Sequence, residues 1–284
     1  MTARLITASD VMTTPVFVVS PTDTIGYARN LMIKHHISRV LVMDAGNLAG
    51  ILTKKDLGYR LRQESAAWRR RPLDQSPVME IATRNPAVVA PDVQLKAVAG
   101  IFVTKNISSV PVVEHGAVMG IVTKTDLMKS DLVADLPGTV RDVMEDAVTV
   151  NPWHSLAHVV ATMSGRAEKA VVTGNDGSVA GIITETDLAL HETDRKRSGV
   201  TGNEVPIIQR ENGCGRGVSH STGTAGVTAG DIMKSPVITV TPSCPLREAI
   251  ALMRREQVNS LVVLERGTLV GIVKRDDIIK EVTK

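Results

Sequence analysis

The stretch GIVTKTD, residues 120–126, occurs four times in the chain with small changes. In each copy two aliphatic residues follow the glycine, a polar residue stands fourth, and an aspartate stands six positions after the glycine. The other copies are residues 50–56, 181–187 and 271–277. A second glycine, at positions 46, 116, 177 and 267, precedes each aspartate by ten residues. Four copies in one register indicate an internal repeat.

The residues around the first copy predict the secondary structure of one repeat. Residues 16–19 form a short extended run before Pro21, and Thr24 can cap a helix. A buried helix face is predicted by apolar residues at helical spacing, which are Ile25, Ala28, Leu31 and Met32. Two apolar runs, 40–43 and 48–52, flank a turn with Gly46 and predict a hairpin. The expected order is strand, helix, strand, strand, helix.

The repeats also share an opening pattern of Asp, a hydrophobic residue and Met, at residues 10–12, 142–144 and 231–233. In the second repeat Glu80 takes the place of Asp10, and the third repeat is shortened near Lys169. We expect repeats at residues 1–64, 76–132, 138–192 and 230–284, and a flexible Gly/Ser/Thr-rich insertion at 193–229. The fold class is α/β, of the α+β kind. Units of this size rarely bury their apolar faces alone, so the repeats should pair.

Composition bounds the class of protein. The chain has 284 residues, 43% of them hydrophobic, which is enough for about two domains with ordinary cores. Only 2% are aromatic, and the formal charge is +3, so nucleic acid is not an expected partner. No apolar run has the length of a membrane span, and the N-terminus has no signal-peptide core, so we expect a cytoplasmic protein.

Two minor features complete the survey. The arginines at positions 60, 62, 69, 70 and 71, with Trp68 beside them, favour a solvated helix end, and phosphate binding is the alternative. Cys214 and Cys244 have no metal-site spacing, which fits a reducing compartment. His154 and His158 stand at helical i, i+4 spacing, but no third ligand joins them, so no metal site is predicted. No P-loop sequence occurs.

The repeated stretch supports two interpretations. Thr53 and Asp56 are three residues apart at the start of a predicted helix, which is the spacing of a capping box worth about 1 kcal/mol. The same helix N-terminus suits a phosphate, and a carboxylate with two acceptor oxygens can take both hydroxyls of a ribose. The second interpretation is a nucleoside or nucleotide site. Cations beside the copies would offset the charge of the aspartates, namely Lys54, Lys55, Lys124, Lys274 and Arg275.

The fourfold pattern of opening segment, hairpin and Gly-x-x-Thr-x-x-Asp resembles the cystathionine-beta-synthase (CBS) domain family. The resemblance covers the chain outside residues 191–230. It implies four βαββα-type repeats that pair into two Bateman modules and complete a disc-like, pseudo-symmetric assembly, as a monomer or a homodimer. It also implies clefts for adenosine compounds such as AMP, ADP, ATP or S-adenosylmethionine, with no required cofactor.

The resemblance assigns roles to individual residues. The aspartate of each copy would bind the ribose hydroxyls and the threonine would bind phosphate or ribose, at Thr53, Asp56, Thr123, Asp126, Thr184, Asp187 and Asp277. Lys274 replaces the threonine in the fourth copy, so that cap should be lost; the lysine would bind phosphate or be solvated. Arg39 is placed for a phosphate by analogy, or for an exposed salt bridge.

Three functions remain open at this point. The first is a non-catalytic sensor of adenosine compounds that signals to a protein partner. The second is an enzyme or enzyme subunit that uses the clefts as substrate sites. The third is an interaction scaffold with degenerate clefts. Since the chain holds little beyond the repeats, the sensor is favoured.

Overall fold

The computed structural model describes residues 5–57, 75–134, 136–188 and 226–284. The chain divides into two compact units, Met1–Asp146 together with Ile238–Lys284, and Ala147–Val237. The first unit holds repeats 1 and 2 and most of repeat 4, and the second holds most of repeat 3. The arginine cluster after residue 58, Cys214 and most of the predicted insertion lie outside the described residues.

The described elements alternate as the sequence predicts. The strands are β1 (Val18–Val19), β2 (Arg39–Asp44), β3 (Asn47–Thr53), β4 (Thr83–Arg84), β5 (Ser109–Glu114), β6 (Ala117–Thr123), β7 (Thr149–Val150), β8 (Lys169–Thr173), β9 (Val179–Thr184), β10 (Thr239–Val240), β11 (Ser260–Glu265) and β12 (Thr268–Lys274). The helices are α1 (Ala8–Val11), α2 (Ile25–Lys34), α3 (Leu95–Thr104), α4 (Lys124–Lys129), α5 (Leu156–Met163), α6 (Ala229–Ile232), α7 (Leu246–Arg255) and α8 (Arg275–Thr283). Helical residues also follow β3 and β9. The mixed α/β fold class is confirmed.

Repeat 1 illustrates how the sequence forms each unit. Thr24 accepts a hydrogen bond from the Tyr27 backbone N–H at 3.1 Å and so starts α2. The predicted stripe is buried at Ile25, Ala28 and Met32, which pack on the sheet. Strand β2 runs parallel to β1 and antiparallel to β3, so the helix crosses between two parallel strands.

The second glycine of the repeat is explained by the hairpin turn. Ala45 and Gly46 have φ values of 46° and 84°, and the equivalent turn residues before β6 and β12 also have positive φ at both positions. A two-residue hairpin turn of this kind needs the left-handed region twice, which glycine adopts without steric cost. The turn therefore fixes the register of β2 against β3.

In the first unit, the opening segment of one repeat completes the sheet of another. Strand β4, which opens repeat 2, pairs with β3 of repeat 1. Thr13, which opens repeat 1, forms a β-bridge with Ile121 of repeat 2. Glu145, from the opening segment of repeat 3, bridges Ile272 of repeat 4. The opening segments thus contribute to sheets that their own repeats do not form.

The second unit has the same construction. Strand β7 runs parallel to β8, and β9 pairs antiparallel with β8. Lys234, which opens repeat 4, bridges Ile182 of β9 through two backbone hydrogen bonds of 2.9 and 3.0 Å. Ala229 of α6 is buried in the core of this unit with residues of α5 and β8.

The first glycine of the repeated stretch allows this close approach. A Cβ on Gly271 would lie 2.7 Å from the Glu145 carbonyl oxygen, and one on Gly50 would lie 2.9 Å from the Thr83 carbonyl oxygen. A Cβ on Gly181 would lie 2.6 Å from Met233 Sδ. Because such contacts are too short for any side chain, glycine is required where the opening segment crosses the strand.

Helix packing joins repeats 2 and 4 in the first unit. Leu95, Val98 and Phe102 of α3 are fully buried in one cluster with Ile250 of α7 and Ile278 of α8. Repeat 1 has its own cluster around Ile25 and Leu52. In the described part of the chain, no helix is both long enough and apolar enough to cross a membrane.

Candidate ligand sites at four helix starts

The capping geometry predicted for the repeated stretch is present. Asp126 Oδ2 accepts hydrogen bonds from the Thr123 backbone N–H at 2.8 Å and from Thr123 Oγ1 at 2.7 Å. Thr123 Oγ1 in turn accepts from the Asp126 N–H at 3.2 Å. This is a reciprocal box at the start of α4, in which the hydroxyl and one carboxylate oxygen are both engaged.

The first and third copies repeat this box. Asp56 Oδ2 lies 2.7 Å from both the N and Oγ1 of Thr53. Asp187 Oδ2 lies 2.9 Å from Thr184 N and 2.6 Å from Thr184 Oγ1. The predicted helix caps at these positions are therefore confirmed, and each cap uses the same single oxygen of its aspartate.

The fourth copy keeps half of its cap, contrary to the expectation that the cap is lost. Lysine has no acceptor, so Lys274 cannot receive the bond that threonine receives. The Lys274 backbone N–H still donates to Asp277 Oδ2 at 3.0 Å. The Lys274 ammonium forms an ion pair with Glu145 and is only 20% exposed, so the alternative of a solvated lysine is wrong.

The second oxygen of three aspartates turns away from the cap. Asp126 Oδ1 accepts a bond of 3.3 Å from Thr13 Oγ1, and Asp187 Oδ1 lies 2.6 Å from Lys234 Nζ. Both partners come from the opening segment of another repeat. Asp277 Oδ1 lies 3.2 Å from Lys280 Nζ on its own helix. Asp126 and Asp187 thus face the junction between repeats with the oxygen that capping does not need.

A set of residues that the repeat pattern missed lies at this junction. Each is the residue of an opening segment that pairs with the isoleucine after the first glycine. We call them the bridge position: Thr13, Thr83, Glu145 and Lys234. Their only sequence signal is the place directly after the opening Met, or Ala82 in repeat 2. The bridge position is neutral at Thr13 and Thr83, negative at Glu145 and positive at Lys234.

The opening segments contain the same box in a different environment. Thr7 with Asp10, Thr139 with Asp142 and Thr228 with Asp231 form matching N–H and hydroxyl bonds to one carboxylate oxygen. These three aspartates are exposed, whereas Asp187 and Asp277 are buried.

The pKa values reflect that difference. Hydrogen bonds from the backbone and side chain of Thr139 lower the pKa of Asp142. Burial raises the pKa of Asp277, although the Lys274 N–H and ammonium and Lys280 oppose the shift. Asp277 is therefore held where desolvation disfavours its charge.

Arg39 lies at the start of β2, where the sequence placed it. Its Nη1 donates to the Ser108 carbonyl oxygen at 2.8 Å, so Arg39 links repeats 1 and 2. Among the residues that the structure describes, it forms no salt bridge, contrary to the alternative of an exposed salt bridge. The pKa of Arg39 is lowered to about 10, mainly by burial and also by the charge of Arg275, while the charge of Asp126 acts in the opposite direction. The structure thus brings Arg39, Asp126 and Arg275 together from three repeats.

Arg275 was not singled out as a site residue by the pattern. Its Nη1 donates to Thr125 Oγ1 and Asn259 Oδ1, both at 3.0 Å. Beside it, the buried Lys124 pairs with Asp276 at 2.9 Å. These contacts fix one guanidinium between α4 and α8, where repeats 2 and 4 meet.

A cavity of about 340 Å³ opens at the same place. Its cationic lining consists of Lys129, Arg254 and Arg275, and no acidic residue is among the described residues that line it. Met128, Met253 and Val258 form an apolar wall. Arg254 is held by the Met128 and Ser130 carbonyl oxygens at 2.5 and 2.8 Å. The cavity can therefore accept an anionic group.

The sequence profile of the CBS domain matches residues 8–61, 78–132, 140–192 and 229–284. The chain belongs to the CBS domain family. The resemblance inferred from the repeated stretch is confirmed, and the four capped helix starts fall one in each CBS domain.

A full-length relative supports the assignment. Protein MJ1225 of Methanocaldococcus jannaschii is 24% identical over 279 residues, which cover 93% of this chain and 94% of MJ1225. Its crystal structure, described as that of a candidate archaeal homologue of g-AMPK, matches with a TM-score of 0.75 at 22% identity, over 97% of this chain and 99% of that one. An uncharacterized conserved protein from Pyrococcus horikoshii matches with a TM-score of 0.63 at 17% identity, over 98% and 100% of the two chains. The four-domain CBS fold is thus shared along the whole chain.

Proposed function

We propose that this CBS protein is a non-catalytic sensor of adenosine-containing ligands, such as AMP, ADP, ATP or S-adenosylmethionine, and that it passes the binding signal to a protein partner. The ligands bind at the repeat junctions, where the aspartates of the repeated stretch stand. The ligand-binding residues are Thr53, Asp56, Thr123, Asp126, Thr184, Asp187, Lys274, Asp277 and Arg39. No catalysis is assigned to the chain.

The observation that carries this proposal is the orientation of the second carboxylate oxygen. Capping occupies Oδ2 of Asp126 and Asp187, while Oδ1 faces the opening segment of another repeat. The exposed aspartates of the opening segments accept the matching N–H and hydroxyl bonds, so these bonds do not require a buried carboxylate. A buried acceptor beside a helix N-terminus suits the hydroxyl pair of a ribose.

The neighbouring cations supply the rest of the site. Arg39 and Arg275 stand close enough to lower the pKa of Arg39, an arrangement of like charges that a bound phosphate would stabilise. The cationic cavity between repeats 2 and 4 adjoins Arg275 and gives a polyphosphate chain room to extend. Few aromatic residues are needed, because the base can lie on aliphatic groups and backbone.

The relatives favour regulation over catalysis. The chain spans 94% of MJ1225, whose structure is described as that of a candidate homologue of g-AMPK. A regulatory role for the present chain, through a partner that reads the ligand-bound state, is in keeping with that description.

The test separates binding from capping. Thermal unfolding of the full chain is followed with AMP, ADP, ATP, S-adenosylmethionine and methylthioadenosine. A ligand at a hundredfold excess over its dissociation constant should stabilise the folded protein by about 2.7 kcal/mol. Asp126→Asn keeps the shape of the side chain but loses the anionic acceptor, so it should lower the ligand-induced shift. Thr139→Val removes the hydroxyl of a matching box that is not a proposed ligand site, so it should lower the basal melting temperature and leave the shift intact.

Two results would count against the proposal. Absence of a shift with every compound in the wild-type chain rejects an adenosine sensor. A loss of basal stability in Asp126→Asn like that in Thr139→Val, with the wild-type ligand shift kept in both, reduces Asp126 to a helix cap.

A further inference from the structure

Lys234 distinguishes the junction at Asp187 from the junction at Asp126. The bridge position carries a positive charge at Lys234 and a neutral hydroxyl at Thr13. Both residues are fixed to their partner strand by the same pair of backbone hydrogen bonds, Lys234 to Ile182 and Thr13 to Ile121. The two sites therefore have the same frame and differ in the group that meets the carboxylate.

The ammonium of Lys234 occupies the acceptor that a ribose would need. Asp187 Oδ2 is engaged in the helix cap, and Oδ1 lies 2.6 Å from Lys234 Nζ. The Lys234 side chain is 69% exposed, while that of Asp187 is 6% exposed. Since the backbone is held and the side chain faces water, the ammonium can leave the carboxylate without disturbing the strand.

We propose that Lys234 makes the Asp187 site select phosphorylated adenosine compounds over uncharged ones; this rests on the proposed function. A ribose that binds Asp187 Oδ1 displaces the ammonium and leaves it without its anion. A ligand phosphate can pair with the displaced ammonium, whereas a neutral nucleoside cannot. The cost of breaking the ion pair is therefore offset only for an anionic ligand.

The Asp126 site provides the comparison within the same molecule. Thr13 Oγ1 meets Asp126 Oδ1 at 3.3 Å, a long bond between a neutral donor and the carboxylate. A ribose hydroxyl that replaces it leaves no charge uncompensated. Lys234 therefore adds a preference for AMP over adenosine at Asp187 that the bridge position does not add at Asp126.

Two methionines report on the two sites separately. A Cβ on Gly181 would lie 2.6 Å from Met233 Sδ, and a Cβ on Gly120 would lie 2.8 Å from Met12 Sδ, so each sulfur rests on the first glycine of one site. Methyl-¹³C-methionine NMR of the full chain, titrated with AMP and with adenosine, then gives an affinity from each methyl signal. Met12→Leu and Met233→Leu assign the two signals.

The variants exchange the bridge residues. Lys234→Gln should lower the ratio of AMP to adenosine affinity at Met233 about tenfold, the scale of one charge-assisted hydrogen bond. It should leave the ratio at Met12 unchanged, because Arg39 and Arg275 serve that site, and Lys234→Arg should preserve the wild-type ratio at Met233. Thr13→Lys should raise the ratio at Met12 and leave Met233 unchanged.

The following outcomes would contradict either the role of Lys234 or the proposed function. A ratio at Met233 that Lys234→Gln does not change, or adenosine bound there as tightly as AMP in the wild type, overturns the role of Lys234. A response at Met12 with none at Met233 also overturns it, while the proposed function stands. No response of either methyl to either compound rejects the proposed function together with the inference.

Discussion

Gly271→Ala tests whether the opening segments cross the repeated stretch as closely as described. The new Cβ would lie 2.7 Å from the Glu145 carbonyl oxygen. The contacted atom is backbone, so no rotation of a side chain relieves it, and the segment must move. Its two hydrogen bonds to Ile272, of 3.0 and 2.9 Å, would lengthen. We expect the backbone pairing of Glu145 with Ile272 to weaken.

The size of the effect follows from those contacts. Each backbone hydrogen bond contributes about 0.5–1.5 kcal/mol net, and overpacking of a close contact costs about 1–3 kcal/mol. The same bonds are counted in both figures, so about 2 kcal/mol is the expected loss. For a domain of 150–250 residues this corresponds to a fall in melting temperature of roughly 4–8 °C.

Gly100→Ala is the matched control for the same substitution. Gly100 lies inside α3, and a Cβ there would meet no atom within 4 Å. Alanine in a helix is favoured over glycine by about 0.5–1 kcal/mol, so this variant should melt above the wild type. Differential scanning calorimetry of the three proteins gives the comparison. If Gly271→Ala melts at or above the wild-type temperature, the close crossing of Glu145 over β12 is refuted.

Two ion pairs give further predictions. Burial acts to lower the pKa of Lys274, but the hydrogen bond that its ammonium donates to Glu145 and the charges of nearby carboxylates raise it overall. The stabilisation from Lys274 is therefore present below the ordinary value of 10.5 and lost as pH rises through the raised folded pKa. Urea unfolding between about pH 10 and 12 should show this alkaline loss, and Glu145→Gln should reduce it. For the pair of Lys124 and Asp276, whose side chains are 8% and 32% exposed, Asp276→Ala should destabilise more than Lys124→Met, because it leaves the more buried charge unpaired. Equal losses of unfolding free energy in the two variants, measured by chemical denaturation, would contradict this prediction.

The local secondary structure could be predicted from the sequence. Helix α2 and the β2–β3 hairpin follow from spacing and turn chemistry that act within a few residues. Gly46 has a positive φ in a two-residue turn, and Thr24 caps the helix that follows it. Such signals do not depend on the rest of the chain, so the four copies and their common register could be identified from the sequence.

The pairing of each opening segment with the sheet of another repeat could not be predicted from the sequence. It depends on β-bridges between residues far apart in sequence, such as Thr13 with Ile121, and a segment of two or three residues has too little periodicity to name its partner. The first glycine was visible as a constant of the repeat, yet its reason is the close approach of Glu145 or Thr83 from another repeat. The arginines show the same limit. Analogy assigned Arg39 to a phosphate, whereas the sequence indicated Arg275 only as a cation beside the fourth copy.

The capping box shows most clearly what the sequence alone cannot predict about the candidate site. The sequence Thr-x-x-Asp occurs at Thr139 and Asp142 as well as at Thr184 and Asp187, and both pairs form the same bonds to one carboxylate oxygen. Asp142 is exposed and Asp187 is buried against Lys234. Because capping needs neither burial nor the second oxygen, the box alone cannot tell a structural aspartate from a candidate ribose acceptor. What separates them is the residue that another repeat places opposite Oδ1, and that residue is set by the exchanged segment rather than by the repeated stretch.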